Sequence, residues 1–190
     1  MENEQVVDSR VAGGEPWILT ASGRQFWPLN PRPADVEIAD IAHALSNLCR
    51  FTGHCRRFYS VAEHSIRVAE HLPVKYQAWG LLHDAAEAYV SDLASPLKRS
   101  EALKDYRAVE GRVLLCVLTR FGLHHGGEDI WLPPAVKEAD LRMLMTEKRD
   151  LMPDGPWDVE GDPYTDVVPD YDMPSAKRRF LEMAAKLGLS

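Results

Sequence analysis

The stretch LLHDAAEAYVSDL, residues 81–93, decides how this chain is read. It opens as the apolar face of a helix, then sets His83 and Asp84 side by side, with Glu87 and Asp92 following. Helix positions three and four apart share a face. Gly80, His83, Asp84 and Glu87 therefore form one compact polar stripe, and the glycine leaves space beside it. Ala78, Leu82, Ala85, Ala86 and Tyr89 fall opposite and make a candidate core face. Carboxylates beside a core are costly unless they are paired or bound to a metal.

Taken alone, a His-Asp pair is most simply part of a solvated helix face. Similar groups recur on the neighbouring helices, and that changes the weighing. His64 lies in SVAEHSIRVAEHL, one turn from Val61 and Val68, on or beside the apolar stripe. Asp140 lies in PPAVKEADLRMLM, among Val136, Leu141 and Leu144, and is expected to point towards the core. One metal held by His64, His83, Asp84 and Asp140 would account for all of these polar groups together. Two imidazoles and two carboxylates suit a borderline divalent ion such as Mn, Fe, Co or Zn. Four protein ligands leave open positions for water and a phosphate oxygen. Glu87, one turn from the ligands, is placed to orient or deprotonate that water.

Around these helices the chain reads as one all-α unit over residues 1–190 with a small N-terminal β-hairpin. Residues 1–15 form a loose tail, and WILTASGRQFWPL (17–29) fits a short hairpin. Helical spacing from Asp35 places Ile38, Ile41, Ala42, Leu45 and Leu48 on one face. Ser60 and Glu63 fit a capping box that starts a helix running to about Leu72, where Pro73 stops it. The next helix is expected from Val74 to Val90, then a connection over 91–100, then a long helix from Glu101 to Phe121. A loop at 124–129 precedes a helix from Pro133 and Pro134 to Leu151. Residues 152–174, rich in proline and acids, read as a long loop, and Ser175 as the cap of a last helix ending near Leu187.

The bulk numbers narrow the classes. The chain of 190 residues is 45% hydrophobic and 27% charged, an ordinary globular balance. A formal net charge of −7 argues against a duplex nucleic acid partner, which needs a basic face. It does not exclude a small anionic substrate. No run approaches bilayer length, so no membrane partner is expected. Cys49, Cys55 and Cys116 lack CxxC spacing and read as three reduced thiols. The acidic N-terminus MENEQVVDSR shows no signal peptide, and a cytoplasmic location is the expectation.

The order His64, His83-Asp84, Asp140 resembles that of the HD-domain metal-dependent phosphohydrolases. The combination of AEHS, LLHDAAEAYVSDLASPLK and a distant Lys-x-x-Asp is similar to the branch of bacterial 5′-deoxynucleotidases and phage-type dATP triphosphohydrolases. The likeness runs from roughly Asp40 to Asp150. It implies an HD-domain helical bundle in which His64, His83, Asp84 and Asp140 are metal ligands and Glu87 is the acid/base group. It implies that Asp92 helps bind and position substrate, and that Arg50 contacts phosphate or sugar. Phe51 stands where relatives place a tryptophan against the base, with Pro96 on the base's other side. Lys98 and Lys137 match lysines that hold phosphates in the triphosphatases, and an additional Mg could accompany a triphosphate. A homo-oligomer is likewise implied by the resemblance alone.

The expected activity is thus hydrolysis of a deoxynucleotide, with dATP-preferring release of tripolyphosphate favoured. A 5′-deoxynucleotidase acting on monophosphates and a nucleotide-sensing module without turnover stay open. A purely structural metal protein is disfavoured, because such sites are usually closed and rich in thiolate. The remaining histidines need no catalytic role: His43 reads as surface or structural, His71 as suited to a helix C-terminus, and His124 and His125 as loop residues. His54, Arg56 and Arg57 lie in the basic loop RFTGHCRRF and are candidates for guiding anions. Trp131 and Trp157 are expected to pack the long loops. The acidic run from Asp154 to Asp172 lacks calcium-loop spacing and reads as solvated.

Overall fold

The computed structural model describes residues 14–124 and 131–189. Most of the loose tail, most of the 124–129 loop and His125 lie outside the described residues. The hairpin is present: β1 (Ile18–Leu19) pairs antiparallel with β2 (Gln25–Phe26), Ile18 opposite Phe26. Its turn contains Gly23 at φ 81°. Ser22 in that turn donates from its backbone N and its Oγ to the buried Asp40 carboxylate, at 2.7 and 2.8 Å. This fastens the hairpin to the first helix, and Phe26 then stacks on Tyr89 at 3.8 Å.

The rest is helical, as expected. Helix α1 (Ile38–Asn47) buries Ile41, Ala42 and Leu45, the stripe that its helical spacing dictates. Helix α2 (Val61–Glu70) begins with the capping box. Ser60 Oγ accepts from the Glu63 N–H at 3.1 Å, and Glu63 Oε2 accepts from the Ser60 N–H at 2.8 Å. Replacing such a cap by alanine costs about 1 kcal/mol.

The expected helix over 74–90 is interrupted. Helix α3 runs Val74–Leu82 and α4 runs Glu87–Val90, with a tight turn between them. The His83 Nδ1–H donates to the Gly80 carbonyl at 2.7 Å, an oxygen that a continuous helix offers to the N–H of residue 84. The backbone tightens to shorter bonds, with Glu87 N donating to Asp84 O at 3.0 Å. Gly80 serves close packing rather than free space. A Cβ there would sit 2.5 Å from Leu72 Cδ1 and 3.0 Å from Ala69 Cα. The missing side chain therefore lets α3 lie directly on α2.

The connection over 91–100 contains a short helix, α5 (Ser95–Lys98), with Pro96 in its first turn where the missing N–H costs nothing. Helix α6 (Lys104–Arg120) starts after a 3-10 turn at Glu101–Leu103. Helix α7 (Pro134–Leu151) packs on α2 and α3. The last helix, α8 (Met173–Lys186), is capped by Asp172, whose carboxylate accepts from the Ser175 N–H at 2.8 Å. Ser175 is thus in the first turn, and the cap lies earlier than expected. Helix α8 closes the core by placing Ala176, Phe180 and Ala184 against α1 and α2.

Residues 152–172 carry no helix or strand but are sewn to α7. Thr146 Oγ accepts from Tyr164 N at 2.8 Å, and Asp150 accepts from Val168 N at 2.9 Å. Arg149 donates to the carbonyls of Tyr164 and Asp166, and Arg142 to that of Asp162. Trp157 reaches Phe51, whereas Trp131 is exposed. Among the described residues no helix is long and apolar enough to cross a membrane.

Candidate metal centre

Helix α2 delivers His64 with its side chain fully buried, and the end of α3 delivers His83 and Asp84 beside it. The two Nε2 atoms are 3.2 Å apart. His64 Nε2 is 3.1 Å from Asp140 Oδ1 and 3.6 Å from Asp84 Oδ2. His83 Nε2 is 3.3 Å from Asp84 Oδ2 and 3.8 Å from Asp140 Oδ1. The ligand atoms of His64, His83 and Asp84 all lie within 4.8 Å of one another, and Asp140 Oδ1 approaches the two histidines from α7. Ligands at about 2.0–2.2 Å from an ion stand roughly 3 Å from one another, so His64, His83 and Asp84 could hold a single divalent metal, with Asp140 beside them as a candidate further ligand. Asp140 differs from the expectation of a core-facing side chain. It is 45% exposed and stands at the mouth of the cluster.

The outer ring nitrogens are already committed. His83 Nδ1 faces the Gly80 carbonyl at 2.7 Å, and His64 Nδ1 faces Glu147 Oε1 at 2.6 Å. Acceptors on Nδ1 set the Nδ1–H tautomer and turn the Nε2 lone pairs inward. The histidines and carboxylates also hold one another's charge. Burial lowers proton affinity at His64 and His83, but the surrounding carboxylates outweigh it and raise both imidazoles. Burial raises Asp84 and Asp140, yet the two histidines hold both well below the usual carboxylate range.

A cavity of about 270 Å³ adjoins the cluster, lined by His83, Asp84, Glu87, Lys98, Arg107 and Glu110 among others. Burial, followed by the charges of Asp84 and Asp92, pushes the Glu87 carboxyl well up. Its Oε1 accepts from Lys98 at 3.2 Å, and its Oε2 is buried without a protein hydrogen-bond partner. Lys98 Nζ also donates to Glu110 at 2.7 Å. Arg50 donates from Nε and Nη2 to Glu147 Oε2 at 3.1 and 3.0 Å, and its Nη1 lies 3.6 Å from Asp84. Its guanidinium sits 5.4 Å from the Phe51 ring centre, so Phe51 borders the centre through Arg50.

The structure therefore brings together His64, His83, Asp84, Asp140, Glu87, Lys98 and Arg50. Asp92 is half-buried; burial raises its carboxyl while the Arg50 charge pulls it down. Pro96 and Lys137 are exposed, and neither lines the cavity.

No protein-family model matches the sequence. The Escherichia coli (strain K12) "Uncharacterized protein YfdR" is 41% identical over 158 residues, covering 80% of this chain and 83% of YfdR. The chain belongs to the YfdR family. An uncharacterized protein of Rhodobacter capsulatus is 37% identical over 116 residues, or 56% of this chain and 59% of that protein.

For this YfdR-family chain, sequence reasoning had passed over Tyr59, Arg107, Glu110 and Glu147. Arg107 and Glu110 are three apart on one face of α6, a spacing visible in the sequence but overshadowed by that helix's apolar stripe. Glu147 follows Asp140 by two helical turns on the same face of α7, together with the buried Met143. Tyr59 carries no sequence signal; its role depends on the chain reversal that brings it to α7.

Proposed function

We propose that this protein is a metal-dependent phosphohydrolase of deoxynucleotides, splitting a deoxynucleoside triphosphate to deoxynucleoside and tripolyphosphate. The observation that supports it most is the convergence of His64 Nε2, His83 Nε2, Asp84 and Asp140, opening onto a cavity that holds a buried glutamate. A divalent transition metal bound by these four residues supplies a Lewis acid for the phosphoryl group and lowers the pKa of water. The likeness to HD-domain phosphohydrolases supports the same reading.

In this reading water adds to phosphorus and the bond to the 5′ oxygen breaks. Glu87 takes the proton from water through Oε2, the oxygen with no protein partner. The departing 5′ oxygen leaves as a hydroxyl once that proton is passed on. Lys98 and Arg107 line the cavity beside Asp84, Glu87 and Glu110 and are its cationic donors for phosphate oxygens. Phe51 offers an aromatic face next to Arg50 for the base.

One observation favours a second reading, hydrolysis of deoxynucleoside monophosphates. Lys98 already lies between Glu87 and Glu110, so it offers less net charge to a polyphosphate tail. The deciding experiment incubates metal-loaded protein with each of the four dNTPs and dNMPs and identifies the phosphate released. Tripolyphosphate supports the first reading, and orthophosphate from monophosphates alone supports the second. Tight nucleotide binding with no product under any of Mn, Co, Zn or Fe would overturn both.

A further inference from the structure

Glu147 is fully buried, and both of its oxygens are occupied. Oε1 accepts from Tyr59 Oη at 2.9 Å and faces His64 Nδ1 at 2.6 Å. Oε2 accepts from two nitrogens of Arg50, whose third faces Asp84. An isolated buried carboxylate is strongly unfavourable, so this one depends on its three partners. Two of the three lead to residues of the metal centre. The carboxylate lies on the far side of His64 from the shared point and touches neither the cavity nor Asp140.

We propose that Glu147 is the positioning residue of the centre: it fixes His64 in the Nδ1–H tautomer with Nε2 turned inward, and through Arg50 it ties Asp84 to the same anchor. Its consequence for metal affinity rests on the metal-centre reading above; its effect on the tautomer does not. Carboxylate and histidine then act as one unit, since a carboxylate can only accept from the ring. A glutamine of the same shape, as in E147Q, behaves differently. Arg50 has donors only, so the amide carbonyl of that side chain turns to Arg50 and its N–H₂ faces His64. Nδ1 must then accept, the ring proton moves to Nε2, and the lone pair that faces the centre is lost.

The test compares wild type, E147Q and Glu147→Asp. Imidazole nitrogen NMR of the metal-free proteins, at alkaline pH where the ring is neutral, reads the His64 tautomer, and titration with Mn²⁺ or Zn²⁺ reads affinity. Wild type is expected in the Nδ1–H form and E147Q shifted to the Nε2–H form, with metal affinity lower by roughly 10–100-fold. Glu147→Asp has no N–H to offer and is expected to keep the wild-type tautomer. It also carries the test should E147Q fail to fold, since its withdrawn carboxylate must still weaken metal binding. A folded E147Q with the wild-type tautomer and affinity overturns the proposal, as does a Glu147→Asp protein of undiminished affinity. Wild-type protein that binds neither ion would sink the metal-centre reading instead, and the tautomer comparison would still decide what Glu147 does.

Discussion

His64 Nε2 and His83 Nε2 face each other at 3.2 Å, and each ring has its other nitrogen committed to an oxygen. Two inward lone pairs at this separation repel unless a proton or a metal ion stands between them. Adding about 100 times the dissociation constant of metal should stabilise the fold by about 2.7 kcal/mol. For a chain of this size that is a rise in Tm of roughly 5–10 °C. Thermal melts with Mn²⁺ or Zn²⁺ and again with chelator measure it. His83→Ala should remove the difference, and a chelator-insensitive Tm in wild type would argue against the site.

Glu87→Gln should lower turnover by roughly a hundredfold to ten-thousandfold while leaving metal stoichiometry intact. Lys98→Met separates the two substrate readings. If Lys98 grips the phosphate tail, KM for triphosphate rises more than KM for monophosphate; equal changes would restrict it to its contact with Glu87. Steady-state kinetics on both substrates supplies the comparison.

Gly80→Ala should destabilise by about 1–3 kcal/mol, because its Cβ meets Leu72 and the Ala69 backbone. Any relief separates α3 from α2, so metal affinity should fall together with the denaturation midpoint. A variant that loses stability but binds metal normally would show that the two histidines find each other by another route.

His71 stacks on Tyr164 at 3.6 Å and is faced by Arg67, Glu70, Arg142 and Asp166. Burial, then the Arg67 charge, lowers its proton affinity. The unfolded chain therefore takes up this proton more readily than the folded one. The stability involved is present above the ordinary imidazole value of about 6.5 and is lost as pH falls through the folded value. His71→Phe keeps the stacking and removes the titration. Denaturation curves from about pH 7.5 to about pH 5 should show wild type losing ground to this variant.

Phe51 and Thr52 both sit at φ 53°, in the left-handed region. Such a conformation costs a non-glycine residue of order 1 kcal/mol or more, and a β-branched residue is the least suited to it. Thr52→Gly should therefore stabilise by a few tenths to about 1 kcal/mol, checked by chemical denaturation.

The helical fold was legible because each helix carries its own punctuation. Ser60 and Glu63 announce α2, Pro133 and Pro134 announce α7, and the apolar spacing of α1 is unbroken. The break between α3 and α4 was not legible, since LLHDAAEAY is a sound helical sequence. It arises from a side chain, His83, capturing the Gly80 carbonyl. The polar cluster could be assembled from His and Asp placed on apolar stripes. Its outer support could not, because Tyr59, Arg50 and Glu147 meet only after the chain has folded back through ninety or so positions.

The stitching of residues 152–172 to α7 runs mostly from α7 side chains to backbone atoms of the strap. Backbone groups are the same whatever residue supplies them. Apart from Trp157, Tyr164, Asp166, Val168, Asp170, Tyr171 and Asp172, whose side chains are themselves engaged, the strap is thus free to drift in sequence at constant shape. The information for its path is written in Arg142, Thr146, Arg149 and Asp150, on the same helix that presents Asp140 and Glu147.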